Sequence, residues 1–496
     1  MRVCFETYLM MTTWRKDMSS FSALTDTADE DVKHIVGEHK EDSAVVSLQK
    51  METEAEIIAD VLDDAEERNA TTIEILHQTS IATESRDLTA AEYELLARSL
   101  RAMTNSRVLK STAQESGDQT NKRTLALEGI KDTLKKFWEF IKSSFRKFWD
   151  VVKRWWIKCF DISKRLKSRA KDIMEKADRE YGSPVETNIV FPEITKLAMN
   201  GKFNEPSLIL VGLKNLEGIV EEYVNDNSAD RFNDTVEEVT DRTSKIINDI
   251  YQRSREILEQ NKGDSNYVIQ RVEVPVSNDS LTSLKAACER VLASNNSDKV
   301  SIDNFTMENS EKYKKQHGEA GDILKHSEYL PGDKWVLTVQ PNEAGWSTKA
   351  GTIYSLPDVV EMLRRSKVLV TGCRYTDKKY DTGAEVRVLN TTTIGRGCDS
   401  VINICEYVFE YRKSFELRDR FKERIIKDID HLVGETSEDD ERAYQQVDRS
   451  VRTFANAITG LIRRRSDFET SLCSYAMTSC VSFVNYCEQS LKQYSR

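Results

Sequence analysis

Apolar side chains recur at alternating steps of three and four along one stretch of the chain: Leu127, Ile130, Leu134, Trp138, Ile141, Phe145, Phe148, Val152, Trp155, Cys159, Ile162 and Leu166. This period predicts a single amphipathic helix over residues 125–176, and no proline interrupts it. At about 1.5 Å per residue it would be roughly 70 to 80 Å long, more than a small domain is wide, so it requires a partner surface. A second stripe runs through Val401, Ile404, Val408, Tyr411, Phe415, Phe421, Ile425, Ile429 and Leu432 and stops at Gly434. Ser437 with Asp440 then forms a capping box. A third stripe follows: Val447, Val451, Phe454, Ile458, Leu461, Leu472, Tyr475 and the cysteines at 473, 480 and 487. The short turn between these two helices predicts an antiparallel hairpin.

All seven prolines lie between Pro184 and Pro357, which leaves two helix-permissive flanks and a more irregular middle. Ahead of the long helix, residues 26–94 predict thin, mostly polar helices around Met51, Ile57, Val61, Ile73 and Leu76. Another short helix is expected over 88–103, then a polar linker over 104–123. In the middle, helices are expected over 208–223, 236–258 and 281–293, with a strand over 267–276. Further strands are expected over 334–340, 351–354, 368–371 and 385–389, with 358–365 as the helix of a small sheet. The expected fold is mainly α: long amphipathic helices and a C-terminal helical hairpin with a small α+β insert. Five regions follow: an acidic helical N-terminal region (1–115), the long helix (116–180), a helical middle (181–328), the insert (329–398) and the hairpin (399–496).

Charge changes this picture. The chain carries a formal net charge of −11, and residues 1–100 hold 22 acidic against 9 basic side chains. Yet fourteen lysines and arginines fall between Lys131 and Lys171, beside four of the seven tryptophans. Three readings stay open: a core helix with a solvated basic face, a surface that holds polyanions such as packaged nucleic acid, or an interfacial helix on a membrane. The candidate contact residues are Lys131, Lys135, Lys136, Lys142, Arg146, Lys147, Lys153 and Arg154. Trp138, Trp149, Trp155 and Trp156 are the candidate anchors. No apolar run approaches the roughly 20 residues that a bilayer-spanning helix needs. The first 24 residues lack the apolar core of a signal peptide, so export by that route is not expected.

Candidate chemistry is sparse. The six histidines are scattered, none forms HExxH or pairs with cysteines at zinc spacing, and neither a Walker-type loop nor GxSxG occurs. Gly395-Arg396-Gly397 lacks the remaining glycine of a dinucleotide fingerprint. The nine cysteines suggest reduced thiols, with Cys473, Cys480 and Cys487 buried on one stripe. Arg463, Arg464 and Arg465 suggest a solvated face. No enzyme, cofactor or metal is expected.

Several stretches belong together: Asp87-Leu-Thr-Ala-Ala-Glu92, Leu125-Ala-Leu-Glu-Gly-Ile130-Lys-Asp-Thr-Leu134 running into Lys135-Lys-Phe-Trp138, Tyr329-Leu330-Pro331-Gly332 ahead of a strand, and the closing hairpin. In these the chain resembles the internal head proteins of giant, phiKZ-like tailed bacteriophages. The resemblance implies a virion structural protein made in the host cytoplasm and packed inside the capsid with DNA and other virion proteins. It also implies maturation by a prohead protease that cuts after glutamate in small-x-Glu motifs. Ala113-Gln114-Glu115 before Ser116 fits, as does Ala82-Thr83-Glu84 before Ser85, and so do the tripeptides ending at Glu30 and Glu92. A cut at Glu115 would remove the acidic region and leave the basic helix at the new N-terminus. The alternative reading is an envelope- or membrane-active protein that uses the Trp/Lys-rich helix.

Overall fold

The computed structural model describes residues 45–58 (bar 56), 119–180, 182–260, 323–340, 365–373, 385–413 and 441–494, with short pieces between them. Its helices are α1 (45–58), α2 (Gln119–Arg179), α3 (Pro206–Tyr223), α4 (Asp226–Gln260), α5 (Thr391–Glu410) and α6 (Glu441–Leu491). Its strands are β1 (Asn188–Val190), β2 (Asp303–Asn304), β3 (Ile323–His326), β4 (Lys334–Gln340), β5 (Lys367–Gly372) and β6 (Glu385–Arg387). The fold is mainly α with small antiparallel strands, as the periodicity predicts. The chain forms two compact units, one of residues 1–39 and 62–146, the other of 40–61 and 147–496. In the first, the described part is the N-terminal portion of α2. The second holds everything that follows.

At the centre of the larger unit lies α6, which buries side chains on every side from Ala457 to Leu491. Many of these are polar, and the helix satisfies them itself. Ser466 donates to the carbonyl of Ile462 (3.0 Å), Thr470 to that of Ser466 (3.1 Å) and Thr478 to that of Ser474 (2.9 Å). Small residues with self-satisfied hydroxyls allow neighbours to approach on all faces.

Around α6 the other helices run in fixed senses. Arg169 of α2 forks onto Glu488 (2.8 Å from both Nε and Nη2) and reaches Asn485 (2.7 Å), while Cys159 meets Cys473, so α2 and α6 are parallel. α5 runs antiparallel to α6: Gly397 lies against Phe483, and Tyr411, just past its end, bonds Glu469. A Cβ on Gly397 would stand 2.0 Å from the Phe483 ring, so only glycine permits this approach. Gly395-Arg396-Gly397, which fell short of a dinucleotide fingerprint, therefore sits inside a helix. Asn390 caps that helix by accepting from the Thr393 amide (2.8 Å), ten residues ahead of the expected stripe. At the other flank, α2 begins at Gln119, inside the expected linker, because nothing between 119 and 125 breaks a helix.

Arg463 and Arg465 do not form a solvated face. They are 2% and 3% exposed. Arg465 donates from Nε to Glu469 (2.7 Å) and from Nη2 to the Tyr223 carbonyl (3.1 Å), and its guanidinium lies 5.0 Å from the Tyr223 ring centroid. The other oxygen of Glu469 accepts from the Tyr411 hydroxyl (2.9 Å). This network ties α6 to the ends of α3 and α5.

The sheet has the order β2-β3-β4-β5, antiparallel throughout. Leu324, Trp335, Leu337, Val339 and Cys373 form its core. β6 does not join it as expected. It pairs with β1, where the Tyr486 hydroxyl bonds the Arg387 carbonyl beside α6. The Tyr329-Leu330-Pro331-Gly332 turn docks the sheet onto the helices: Asn215 donates to the Tyr329 carbonyl (2.9 Å), Tyr475 to that of Pro331, and Asp333 accepts from the Gly201 amide (3.0 Å). Helices expected over 88–103, strands over 267–276 and 351–354, most of the helix at 358–365, and the Gly434 and Ser437 caps lie outside the described residues.

Because Arg465 and Glu469 are enclosed together, Glu469→Ala strands a buried cation. Its unfolding free energy is expected to fall by about 3 to 5 kcal/mol, read from the urea midpoint, whereas an exposed control such as Glu175→Ala changes it little.

Candidate functional site

The described part of α2 within the larger unit divides lengthwise. Phe148, Trp149, Val152, Trp155, Trp156, Cys159, Ile162, Leu166 and Ile173 are buried, while Lys147, Lys153, Arg154, Lys158, Lys164, Arg165 and Lys171 are exposed. Helical geometry orders the cations further. At 100° per residue, Lys147, Arg154, Lys158 and Arg165 share one edge of the exposed half, and Lys153, Lys164 and Lys171 the other, with Asp150 and Asp161 between them.

The aromatics are packing elements. Trp149 stacks on Phe415 (5.6 Å, 8°), and Trp156 meets Tyr411 (4.8 Å), Phe415 (5.8 Å) and Trp155 (5.1 Å, edge to face). Trp149, Trp155 and Trp156 are 0–1% exposed, so none of the three presents its ring to an outside surface. The side chains of Trp138, Lys131, Lys135 and Lys136 lie outside the described residues, as do both candidate cuts, Glu84–Ser85 and Glu115–Ser116. Lys142 does not stand on the exposed face. It is 9% exposed and pairs with Glu139 at 2.7 Å. Arg146 is exposed. Sequence reasoning missed Lys158, Lys164 and Lys171, which continue the same basic half and were legible by extending the helical period.

Two of the cations meet α1. Lys158 donates to Ser47 (2.9 Å), and Arg154 lies 3.6 Å from Glu54. Farther along, Lys167 pairs with Glu406 of α5 (2.6 Å).

The cysteine stripe forms an internal layer. Cys473 meets Cys159, and Cys487 meets Cys398; all are buried and reduced. Burial pushes the thiols of Cys405, Cys473, Cys480 and Cys487 up, so they are neutral. Among the described residues no three His, Cys, Asp or Glu side chains come together to hold a metal ion. An acidic cleft is lined by Asp234, Glu237, Glu238, Asp241 and Asp279, with Arg242 and Lys245 among them. Hydrogen bonding by Arg242 holds the Glu238 carboxyl below its ordinary range, and Arg290 bonds its other oxygen (2.7 Å), so this cleft is partly neutralised from within. Among the described residues, no helix is long and apolar enough to cross a membrane.

The geometry defines a helical packing protein in which α2, within the larger unit, turns its aromatics inward and a row of cations outward. The family model of the phiKZ-like phage internal head proteins matches residues 27–489, nearly the whole chain, and the chain belongs to that family. It is accordingly a virion structural protein of the phage head interior. No curated protein and no solved structure matches it.

The neutral thiols set a pH dependence. A folded value raised above the unfolded one contributes stability that is complete below the unfolded value, about 8.5, and is lost as pH rises beyond it. The melting temperature is expected to stay flat from pH 6 to 8 and to fall above about pH 9, with a shallower fall in Cys480→Ala, followed by circular dichroism.

Proposed function

We propose that the protein is a non-enzymatic internal component of the phage head, made in the host cytoplasm, packaged with the genome and matured there by the prohead protease. The observation that carries this reading is the division of α2 within the larger unit: Trp149, Trp155 and Trp156 are turned inward, and Lys147, Lys153, Arg154, Lys158, Lys164, Arg165 and Lys171 are turned outward. A face of that kind holds phosphates without reading sequence, as filling a head with DNA requires. Lys147, Lys153, Lys164 and Lys171 are its contact residues. Other virion proteins with acidic surfaces would meet the same row. The envelope-active alternative needs indoles at the surface, and the burial of Trp149, Trp155 and Trp156 favours the polyanion reading over it.

Maturation has a direct expectation. Peptide mass spectrometry of purified mature particles should find a new N-terminus at Ser116 or Ser85, and no peptide that runs across the cut. Recovery of peptides spanning both junctions in full yield would overturn processing.

Polyanion contact has its own. Binding of the recombinant protein to a DNA duplex should weaken linearly in log–log form with salt, each phosphate contact adding about 0.9 to the slope. The triple variant Lys153→Gln, Lys164→Gln, Lys171→Gln should lower the slope by about 2 to 3 without altering the circular dichroism spectrum. An unchanged slope would remove these lysines from the contact face.

A further inference from the structure

The acidic N-terminal region does not stand off from the body along its whole length. α1 belongs to the same compact unit as residues 147–496, although residues 62–146, assigned to the other unit, separate the two in sequence. Val45, Leu48, Met51 and Ala55, at steps of three, three and four, are 0–8% exposed, so one stripe of α1 is buried. Ser47 and Glu54 reach Lys158 and Arg154 of α2, and Gln49 reaches Thr478 of α6 (3.5 Å). α1 therefore lies over the seam where α2 and α6 run side by side, near the Cys159–Cys473 contact.

Magnitudes decide what holds it. The Arg154–Glu54 pair is 3.6 Å apart with both side chains more than half exposed, and the Gln49 bond is long, so these contacts set register and contribute little. The apolar stripe supplies the attraction. A 14-residue segment is also marginal as a helix in water by itself, so α1 is helical because it is docked.

Both cuts suggested by the sequence, after Glu84 and after Glu115, fall between α1 and α2. Neither touches the α1 contacts. We propose that α1 is a cis-bound helical peptide that stays seated in the α2–α6 seam after maturation, so that the cut converts one chain into a non-covalent two-chain particle component. This rests on the reading that a cut occurs between 59 and 118, and it changes that reading's consequence: cleavage alone does not release Arg154 and Lys158 from Glu54 and Ser47. Confinement in the head favours retention, because a peptide severed in an enclosed volume is not diluted away.

The test uses the full chain with a site-specific protease sequence inserted after Glu115, independent of any phage protease. After complete cutting, the 1–115 piece should co-elute with the 116–496 body in native size-exclusion chromatography at both 0.1 M and about 0.5 M salt, since apolar burial dominates. In the double variant Leu48→Asp, Met51→Asp, the severed piece should elute separately, while the uncut double variant keeps the elution volume of the uncut parent. Separation of the parent piece from its body overturns the proposal. So does full retention in the double variant, which would assign the contact to another part of 1–115. Should the uncut double variant fail to fold, the parent result decides by itself. Absence of any cut in mature particles would instead overturn the maturation reading and leave the docking intact.

Discussion

Everything in the larger unit depends on a helix being enclosed on all sides while carrying hydroxyls, amides and three consecutive arginines. α6 manages this by returning its hydroxyl protons to its own carbonyls and by matching Arg465 with Glu469 one turn on. Two charges removed from water together cost far less than either alone, and the Tyr411 hydroxyl and Tyr223 carbonyl occupy the bonding positions that remain. The ends of α3 and α5 are thereby pinned to one level of α6. The resulting centre is specific because Arg465 and Glu469 are satisfied only when α3, α5 and α6 meet at this level.

Seen from that centre, the basic helix is a peripheral member. Trp149 and Trp156 face inward to Tyr411 and Phe415, and the forked Arg169–Glu488 contact fixes how far along α6 the helix sits. What remains for function is the solvent half, where two cationic edges flank a line of aspartates. One edge is engaged by α1 through Arg154 and Lys158. Family membership places such a protein within the phage head.

Much of this was legible in the sequence, and the failures share one cause. The long helix was readable because its apolar steps persist over many turns without a breaker, and β4 and β5 because they are short runs rich in β-branched and aromatic residues. α6 was read as a hairpin arm with a wet arginine face, since serine, threonine and arginine score as surface whatever bonds they make. Only the Arg465-to-Glu469 spacing hinted otherwise. The start of α5 was obscured by Gly395 and Gly397, which mark a loop by propensity but here mark a close helix crossing. At the candidate site, the cations were legible and the fate of the indoles was not, because a tryptophan stripe looks the same whether its partner is a core or a membrane. The partner of β6 lies some two hundred residues upstream, beyond any local signal.

The parallel alignment of α2 with α6 joins residues 319 positions apart, at Arg169 and Glu488. A nascent chain emerging from the ribosome therefore holds Trp149 and Trp156 without Tyr411 and Phe415 until α5 has been made, and Arg169 without Glu488 until nearly the last turn of α6. Closure of this centre is then a late, post-translational event, slow by the logic of distant pairings and exposed to chaperones or to premature self-association in the meantime.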